Sequence, residues 1–276
     1  MKITPILALG MCCILMCAAQ SAKSHTYMDT ITNKEKVLSF YKQIVGQRKI
    51  ELIPEFIIEN YKQHNPTVKQ GREGVTEMIN YLKKLPPPPE DAKSPIVRAI
   101  QEGDFVVTHL DVQFMGKRMA VIDLFKLKDG MLIEHWDAIQ SLPDESGKLV
   151  TATNGTIDID HSVSAESSKL IVERFYKAVV DRKPTDQFVD KAYVEHDASL
   201  IASGKRLAGY LANSEMSVKI HRIIAEGDFV VVQSQLNKDD KAFMFYEIFR
   251  VANNKIAEHW SVEQAIPDGV TAEDMF

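Results

Sequence analysis

Cysteine is scarce in this chain of 276 residues, and its placement excludes several kinds of chemistry. All three cysteines, Cys12, Cys13 and Cys17, lie within an apolar N-terminal run from Ile3 to Ala19. If that run is removed on export, the remaining chain contains no cysteine. Disulfide bonds, cysteine nucleophiles and thiolate metal sites are then excluded, so apolar cores must stabilise the fold.

Positive charge is also in short supply. Lys and Arg number 33 against 38 Asp and Glu, which gives a formal net charge of −5 with histidine neutral. Nucleic-acid binding requires a basic face, and this balance offers no support for it. Beyond the N-terminal run, no apolar stretch approaches the length of a membrane span. The composition is typical of a soluble globular protein with one large domain or two modest ones.

The N-terminal run has the pattern of a secretory signal peptide. Lys2 precedes it and small residues follow it, so we expect cleavage near Ala19–Ala22. We therefore assign residues 1–22 as a signal peptide and expect a secreted or periplasmic protein. The alternatives are an uncleaved anchor helix, for which the run is short, and a lipidated Cys17, which the bulky Met16 before it disfavours.

One sequence pattern occurs twice in the remaining chain. The segment Glu102–Val107 recurs as Glu226–Val231, and Glu134–Trp136 recurs as Glu258–Trp260, both at an offset of 124 residues. Upstream motifs match in the same order at a larger offset, so the second copy has lost several residues between its two halves. Ordered matches over so much chain indicate a duplication.

Each copy has helical patterns first and strand patterns afterwards. Short helices are expected at about 51–58 and 72–84, and strong alternation marks strands at 105–114, 119–128 and 131–140. Helices gathered before a curved antiparallel sheet predict an α+β domain. We place the first domain at 33–144, a linker at 145–165 and a diverged second domain at 166–270.

Strand alternation brings two carboxyl groups to one face of this sheet. Asp123 shares a face with Val121 and Phe125, and His135 shares one with Asp137 on the next strand. Burial and a nearby second carboxylate raise the pKa of a carboxyl group, which suits proton transfer on a carbonyl compound. The alternative is that Asp123 accepts buried hydrogen bonds and Asp137 lies at a wet sheet edge.

Two further polar positions are candidates in the first copy. His64 and Asn65 follow Tyr61 at a turn and could stabilise an enolate oxygen, although Asn65 could equally cap the turn. His109 follows in alternation on the first strong strand. Histidines and an aspartate could in principle bind zinc, but no close-spaced ligand pair supports this, so we predict no metal.

The second copy keeps only part of this set. Glu247 matches Asp123, whereas Ser261 stands in the place of Asp137. His196 matches the histidine of the turn. We therefore expect the first copy to be the working one and the second to be a degenerate partner.

Together the motifs resemble the SnoaL-like polyketide cyclase family of the nuclear-transport-factor-2-like superfamily. The resemblance covers about 33–144 and 166–270, and it is carried by Tyr61-x-x-His64-Asn65-Pro66, Gly71-Arg-Glu-Gly74, Glu102–Val107 with His109, Asp123-Leu-Phe125 and Glu134-His-Trp-Asp137. It implies a cone-shaped α+β barrel around an apolar pocket. Founding members close rings by intramolecular aldol condensation, without a metal or organic cofactor, using an aspartate as acid and base.

Carried onto this sequence, the resemblance implies two sets of site residues and no cofactor. The catalytic set is Asp137, Asp123, His64 and His109, and the substrate-contacting set is Asn65, Tyr61, His135, Glu247 and His196. Two functions follow as hypotheses: cofactor-independent acid/base catalysis on a small carbonyl compound (enolisation, aldol, isomerase or dehydratase type), and non-catalytic binding of a small apolar ligand. Because such domains often pair through their sheets, we expect an intramolecular pseudo-dimer or a homo-oligomer, without nucleic-acid or, after signal cleavage, membrane partners.

Overall fold

The computed structural model describes residues 31–86, 93–213 and 215–276. The expected signal peptide lies outside these ranges. Within them, none of the helices is both long and apolar enough to cross a membrane. The described part from Ile31 to Phe276 forms one compact unit that contains both copies of the repeat.

The described part of the first repeat contains three α-helices, a short 3-10 helix (Ile50–Leu52) and a five-stranded sheet. Its helices are α1 (Asn33–Phe40, extended by a π-helical turn through Gly46), α2 (Ile53–Phe56) and α3 (Gly71–Leu82). Its strands are β1 (Ile57–Gln63), β2 (Ile96–Glu102), β3 (Phe105–Phe114), β4 (Lys117–Lys128) and β5 (Met131–Ser141). The helix expected at 51–58 is shorter than predicted, because the chain from Ile57 onwards pairs with β5.

The second repeat follows the same plan. Its helices are α4 (Ala165–Val180), α5 (Ala198–Ser203), α6 (Leu207–Leu211) and α7 (Ala272–Met275). Its strands are β6 (Val189–Glu195), β7 (Ser217–Glu226), β8 (Phe229–Lys238), β9 (Lys241–Ala252) and β10 (Lys255–Ala265). The predicted domain boundaries stay predictions.

Both sheets have equivalent strand orders, β1-β5-β4-β3-β2 and β6-β10-β9-β8-β7. The first strand of each sheet runs parallel to the last, and the other neighbours are antiparallel. The predicted α+β class is therefore confirmed in both repeats. Each sheet is mixed rather than wholly antiparallel, and it keeps two edge strands instead of closing into a full barrel.

One face of each sheet packs on the helices of its own repeat, and we call it the helix face. In the first repeat, Val37 and Phe40 of α1 and Ile79 of α3 pack against Val106 and Phe125 of the sheet. A matching core in the second repeat joins α4, α5 and α6 to β8 and β9. Burial of these apolar side chains is the main source of stability in each repeat.

The opposite faces of the two sheets pack on each other, and we call them the sheet–sheet faces. A single apolar core contains Ile122 and Trp136 from the first repeat together with Tyr246 and Trp260 from the second. The alternation of β5 places Trp136 here, on the side opposite His135, as its sequence position predicts. The two repeats thus bury each other's sheets inside one chain.

Reciprocal contacts relate the two repeats by an approximate two-fold axis. The side-chain oxygen of Gln140 accepts a hydrogen bond from the amide of Glu263 at 2.9 Å. The side-chain oxygen of Gln264, the counterpart of Gln140, accepts one from the amide of Ile139 at 2.7 Å. Because both repeats keep this glutamine, the same type of hydrogen bond occurs twice between them, once in each direction.

Two arginine–tryptophan contacts repeat this symmetry. The guanidinium of Arg98 lies 4.1 Å from the ring centroid of Trp260, and that of Arg222 lies 4.2 Å from the ring centroid of Trp136. Such stacking is favourable when the cation is shielded from water. The guanidinium of Arg98 also donates to carbonyls in the expected linker (145–165), so this segment packs on the fold.

Candidate functional site

Three polar side chains meet on the helix face of the first sheet. Asp123 on β4 lies directly opposite Asp137 on β5, and Phe125 lies opposite His135. Their side chains therefore point to the same side of the sheet, as the strand alternation predicts. Asp123, His135 and Asp137 are each more than nine-tenths buried.

Each member of this cluster is held from behind by another polar group. The Tyr41 hydroxyl donates to Oδ2 of Asp123 and lies 3.0 Å from the Thr108 hydroxyl. The Asn65 side-chain amide donates to Oδ2 of Asp137 at 2.8 Å. These bonds fix the orientation of both carboxyl groups and leave one oxygen of each, Oδ1, without a bond to these groups.

The side-chain oxygen of Gln63 determines how His135 carries its protons. That oxygen accepts from the amide of Asn65 at 3.1 Å, so it also acts as the acceptor for Nδ1–H of His135 at 2.9 Å. Nε2 of His135 faces Oδ1 of Asp123 at 3.0 Å. Burial alone would lower the pKa of His135, but the hydrogen bond and negative charge of Asp123 outweigh it and raise that pKa. Asp123 thus makes protonation of His135 easier than burial alone would allow.

Asp137 differs from Asp123 in its surroundings. Burial raises the pKa of Asp137, the charge of His135 opposes that rise, and the charge of Asp123 adds to it, with a net increase. Its Oδ1 has no hydrogen-bond partner within the described ranges. Asp137 is therefore a carboxyl group with a strengthened affinity for a proton and one free oxygen.

Tyr61 lies in the apolar core beside this cluster. Burial raises its pKa well above the ordinary value, and the charges of Asp123 and Asp137 raise it further. Tyr61 therefore stays neutral and keeps its hydroxyl proton. Tyr61, Gln63 and Asn65 alternate along the end of β1 and therefore point to one side of the chain, towards the site. His64, between Gln63 and Asn65, points to the other side.

The structure corrects the assignment of His64 to the catalytic set. Its ring stacks on Trp136 of the sheet–sheet face with centroids 4.6 Å apart. Nδ1 lies 2.7 Å from the carbonyl oxygen of Asp274, and Nε2 lies 2.8 Å from Glu134. The alternation of β1 turns Gln63 towards His135 and therefore turns His64 away from it.

His109 is also corrected. On β3 it pairs with Ile122, so it points to the sheet–sheet face, whereas Thr108 points to Asp123. The Arg98 guanidinium donates to Nδ1 of His109 at 3.1 Å. Burial and the charge of Arg98 lower the pKa of His109 to about 3, so this histidine is neutral.

The second repeat has the same layout with different charges. Glu247 is fully buried and accepts from the Tyr176 hydroxyl, while Nε2 of His259 lies 3.5 Å from it. Nδ1 of His259 lies 2.7 Å from Glu195, the counterpart of Gln63. Burial opposes the charge on His259, but Glu195 and Glu247 raise its pKa to about 10.

In the second repeat the carboxyl group lies at the position of Asn65, as Asp197, and the neutral side chain lies at the position of Asp137, as Ser261. The Ser261 hydroxyl donates to Oδ2 of Asp197, and Oδ1 of Asp197 caps the start of α5. Asp197 is thus occupied by local bonds and has no free oxygen comparable to that of Asp137. His196, predicted to contact substrate, instead stacks on Trp260 of the sheet–sheet face and is corrected in the same way as His64.

Sequence reasoning missed Tyr41, Gln63 and Thr108 as members of the site. Tyr41 could have been found from the repeat, because Tyr176 follows a phenylalanine at the matching position and both tyrosines bind the acid of the fourth strand. Gln63 and Thr108 leave no comparable signal, because one aligns with a glutamate and the other with Val232.

Two of the cavities along the described chain are lined mainly by the second repeat. One of about 340 Å³ is lined mostly by residues with polar side chains, namely Gln140 of the first repeat and, from the second, Asp197, Ser199, Leu200, Ser203, Lys205, Tyr210, Lys238 and Glu263. Another, lined mainly by apolar residues such as Phe175, Leu207 and Phe249, measures about 30 Å³, which is room for about one water molecule. Asp137 in the first repeat is 7% exposed, and its Oδ1 atom is buried.

The two repeats and the buried acid–histidine cluster define a duplicated α+β protein with one polar centre inside an apolar core. Residues 37–135 match the model of the SnoaL-like domain. The first repeat is therefore a SnoaL-like domain, and the second repeat shows the same strand order.

Solved structures similar to this chain each cover about one repeat. TsrD from Streptomyces laurentii is 20% identical over 39% of this chain and 88% of its own, with a TM-score of 0.32. A SnoaL-like polyketide cyclase from Agrobacterium tumefaciens is 11% identical over 40% and 92%, with a TM-score of 0.33. An NTF2-like protein from Mesorhizobium loti is 12% identical over 36% and 93%, with a TM-score of 0.31. No curated protein matches this chain.

Proposed function

We propose that the first repeat is an acid/base enzyme in which Asp137 removes a proton from the carbon next to the carbonyl of a small compound. The observation that carries this proposal is the free Oδ1 of Asp137, which is buried and lies opposite a second carboxyl group. A carboxylate whose pKa is raised towards the working pH is a stronger base and can return the proton afterwards.

The surrounding side chains support the same step. Asn65 holds the carboxyl group of Asp137 in one orientation, and the pair of His135 with Asp123 keeps the second negative charge compensated. The enolate oxygen needs a neutral donor in a site with little water, and Tyr61, which keeps its proton, supplies one. Return of the proton to another carbon gives isomerisation, attack of the enolate on a second carbonyl gives aldol chemistry, and loss of a β-hydroxyl group gives dehydration.

Deuterium exchange tests this proposal directly. The protein is incubated in heavy water with a panel of small ketones, β-keto acids and aldehydes, and loss of α-proton signals is followed by NMR. We expect exchange that depends on the protein and disappears in Asp137→Asn, while Ser261→Ala, at the counterpart position in the second repeat, retains it. Unchanged exchange in correctly folded Asp137→Asn would show that Asp137 is not the base.

A binding function without turnover is the second candidate, and the cavity of about 340 Å³ lined by Gln140 and by residues of the second repeat favours it. A cavity of this size accommodates a small molecule. Its lysine, serine and tyrosine lining suits a polar ligand rather than the apolar one expected from the sequence. Co-purified small molecules identified by mass spectrometry, together with no exchange on any carbonyl compound, would favour this candidate.

We also propose that the protein is exported, on the strength of Lys2, the apolar run from Ile3 to Ala19 and the small residues after it. Fractionation of the native cells and sequencing of the mature N-terminus test this. We expect a chain that starts close to Ala22 outside the cytoplasm. A full-length chain that begins at Met1 in the cytoplasmic fraction would contradict it.

A further inference from the structure

We propose that Asp123, His135 and Asp137 form a binding site for one divalent first-row transition-metal ion, and that this ion competes with the proton-transferring form of the centre. The sequence predicts no metal, because no two ligands lie close together along the chain. The fold removes that objection, since β4 and β5 place the three side chains next to one another. One ligand atom from each residue lies within 4.8 Å of the other two.

The outward atoms of all three side chains are already held by hydrogen bonds. Tyr41 binds Oδ2 of Asp123, Gln63 binds Nδ1 of His135, and Asn65 binds Oδ2 of Asp137. Of the remaining atoms, Oδ1 of Asp123 and Nε2 of His135 face each other, and Oδ1 of Asp137 has no hydrogen-bond partner within the described residues. Metal ligands in proteins are characteristically held in this way, with the non-coordinating atom of each ligand tied by a second group.

The tautomer of His135 points to a positive charge at the centre. Because Gln63 receives Nδ1–H, a neutral His135 turns the lone pair of Nε2 towards the Asp123 oxygen, 3.0 Å away. Two lone pairs at that distance require a proton or a metal ion between them. Two ligand atoms bound at about 2.1 Å to one ion lie about 3.0–3.4 Å apart at right-angled or tetrahedral geometry, which fits the observed separation.

Oδ1 of Asp137 is the third ligand. This oxygen has no hydrogen-bond partner in the part of the chain that the structure describes, and the side chain is more than nine-tenths buried. A buried carboxylate oxygen without a partner is costly. An ion of charge +2 with a neutral His135 would neutralise both carboxylates, whereas a proton on His135 neutralises only one.

The donor set selects the class of metal. One imidazole nitrogen and two carboxylate oxygens suit zinc, manganese, iron or cobalt, whereas magnesium and calcium prefer oxygen ligands alone. Three protein ligands also leave at least one coordination position open, which is a feature of catalytic rather than structural sites.

The second repeat supplies a natural control within the same chain. Ser261 replaces the third ligand, and Glu195 in place of Gln63 puts a carboxylate on Nδ1 of His259. This second carboxylate keeps His259 an imidazolium, and its pKa is raised to about 10. A histidine protonated on both nitrogens does not bind a metal, so we expect one ion per chain rather than two.

Isothermal titration of the purified, chelator-treated protein with zinc chloride near pH 7 tests the site. We expect the native protein to bind one equivalent of zinc more than Asp137→Ser, which introduces the serine of the second repeat. Ser261→Ala should bind as much zinc as the native protein. Gln63→Leu should weaken zinc binding about 10- to 100-fold, because it removes the partner of Nδ1. Any zinc bound by Cys12, Cys13 and Cys17 is the same in all variants, so it cancels when their stoichiometries are compared.

Cobalt chloride gives a second readout that a folding defect cannot imitate. Visible absorption from cobalt bound by the native protein should be absent in Asp137→Ser and His135→Gln, with circular dichroism confirming that both are folded. Equal zinc stoichiometry and equal cobalt spectra in native protein and both variants would overturn the proposal. No stoichiometric binding by the native protein would overturn it as well.

The metal site and the proton-transfer function can fail separately. Zinc binding is measured without a substrate, and deuterium exchange is measured on metal-free protein. We expect one equivalent of zinc to suppress exchange, because the ion occupies Oδ1 of Asp137. Zinc binding that leaves exchange unchanged would contradict the competition, and zinc binding without any exchange in metal-free protein would leave the site standing and contradict the proposed function.

Discussion

Asp123 and Asp137 face each other on adjacent antiparallel strands, yet their hydrogen bonds are unequal. Asp123 is bound by Tyr41 and His135 through both oxygens, whereas Asp137 is bound by Asn65 through one oxygen and keeps the other free. The two aspartate side chains therefore differ in how many of their oxygens are free. One holds a charge in place, and the other is available to a substrate or an ion.

Replacing Tyr41 with phenylalanine tests the anchoring of Asp123. A hydrogen bond to a charged group contributes about 1.5–3 kcal/mol, so we expect Tyr41→Phe to lower the free energy of unfolding by about that amount. It should also slow deuterium exchange, because Asp123 is then free to turn. Tyr176→Phe in the second repeat is the matched control, which should lose stability in urea unfolding but keep exchange. Equal exchange in both variants would contradict the assignment of the working centre to the first repeat.

His109 makes stability depend on pH. Its pKa is lowered to about 3 in the folded protein, from an ordinary value of 6.5, so between these values only the unfolded chain takes up the proton. The free energy of unfolding should therefore decrease as pH falls from 6.5 to 3, by at most about 1.4 kcal/mol per pH unit from this group.

His109→Gln is the matching variant, because Gln233 stands at the counterpart position and accepts from Arg222 at 2.5 Å. Urea unfolding at several pH values should give a shallower acid-side slope for His109→Gln than for the native protein. Parallel slopes in the two proteins would mean that His109 is protonated in the folded state.

Arg98 and Arg222 should contribute unequally to stability although they occupy equivalent positions. Arg98 is buried and donates to the carbonyls of Thr153, Asn154 and Thr156. Arg98→Leu leaves these acceptors unpaired and should cost on the order of 3–5 kcal/mol. Limited proteolysis should then cleave the expected linker (145–165), because its anchor is lost.

Arg222 makes fewer bonds, to Gln233 and to the carbonyl oxygen of Phe276. Arg222→Leu should therefore cost about 1–3 kcal/mol and leave the linker resistant to protease. Chemical unfolding of both variants gives the comparison. Equal costs, with equal cleavage, would show that the linker contacts of Arg98 add nothing to its packing on Trp260.

The hydrogen bond between Ser261 and Asp197, at the positions of Asp137 and Asn65, predicts that substitutions at these two positions are energetically coupled. Ser261→Asp places a carboxylate against Asp197, and two charges about 4 Å apart repel by about 1–4 kcal/mol, depending on the local dielectric. We expect a lower urea midpoint in that variant and partial recovery when Asp197→Asn is added, since this pair then matches Asn65 and Asp137. A double-mutant cycle measures the coupling. Additive effects of the two substitutions would contradict direct contact between the side chains.

Much of the site followed from strand periodicity alone. The period of two correctly placed Asp123, His135 and Asp137 on one face, because backbone geometry fixes the direction of successive side chains. The same rule misplaced His109, since alternation from Val107 carries no information about which face belongs to the helices. His64 was misplaced because it was assigned to a turn and no strand was predicted before it, so strand alternation was not applied there.

The sequence by itself determined the duplication, the α+β class and the facing of side chains along each strand. These are local or repeated properties, set by backbone geometry and by the spacing of apolar residues. Only the tertiary structure decided which face of each sheet would meet its helices and which would meet the other repeat. That choice brought Gln63, Tyr41 and Asn65, distant along the chain from β4 and β5, into hydrogen bonds with the cluster, because hydrogen-bond partners are selected by three-dimensional packing rather than by sequence spacing.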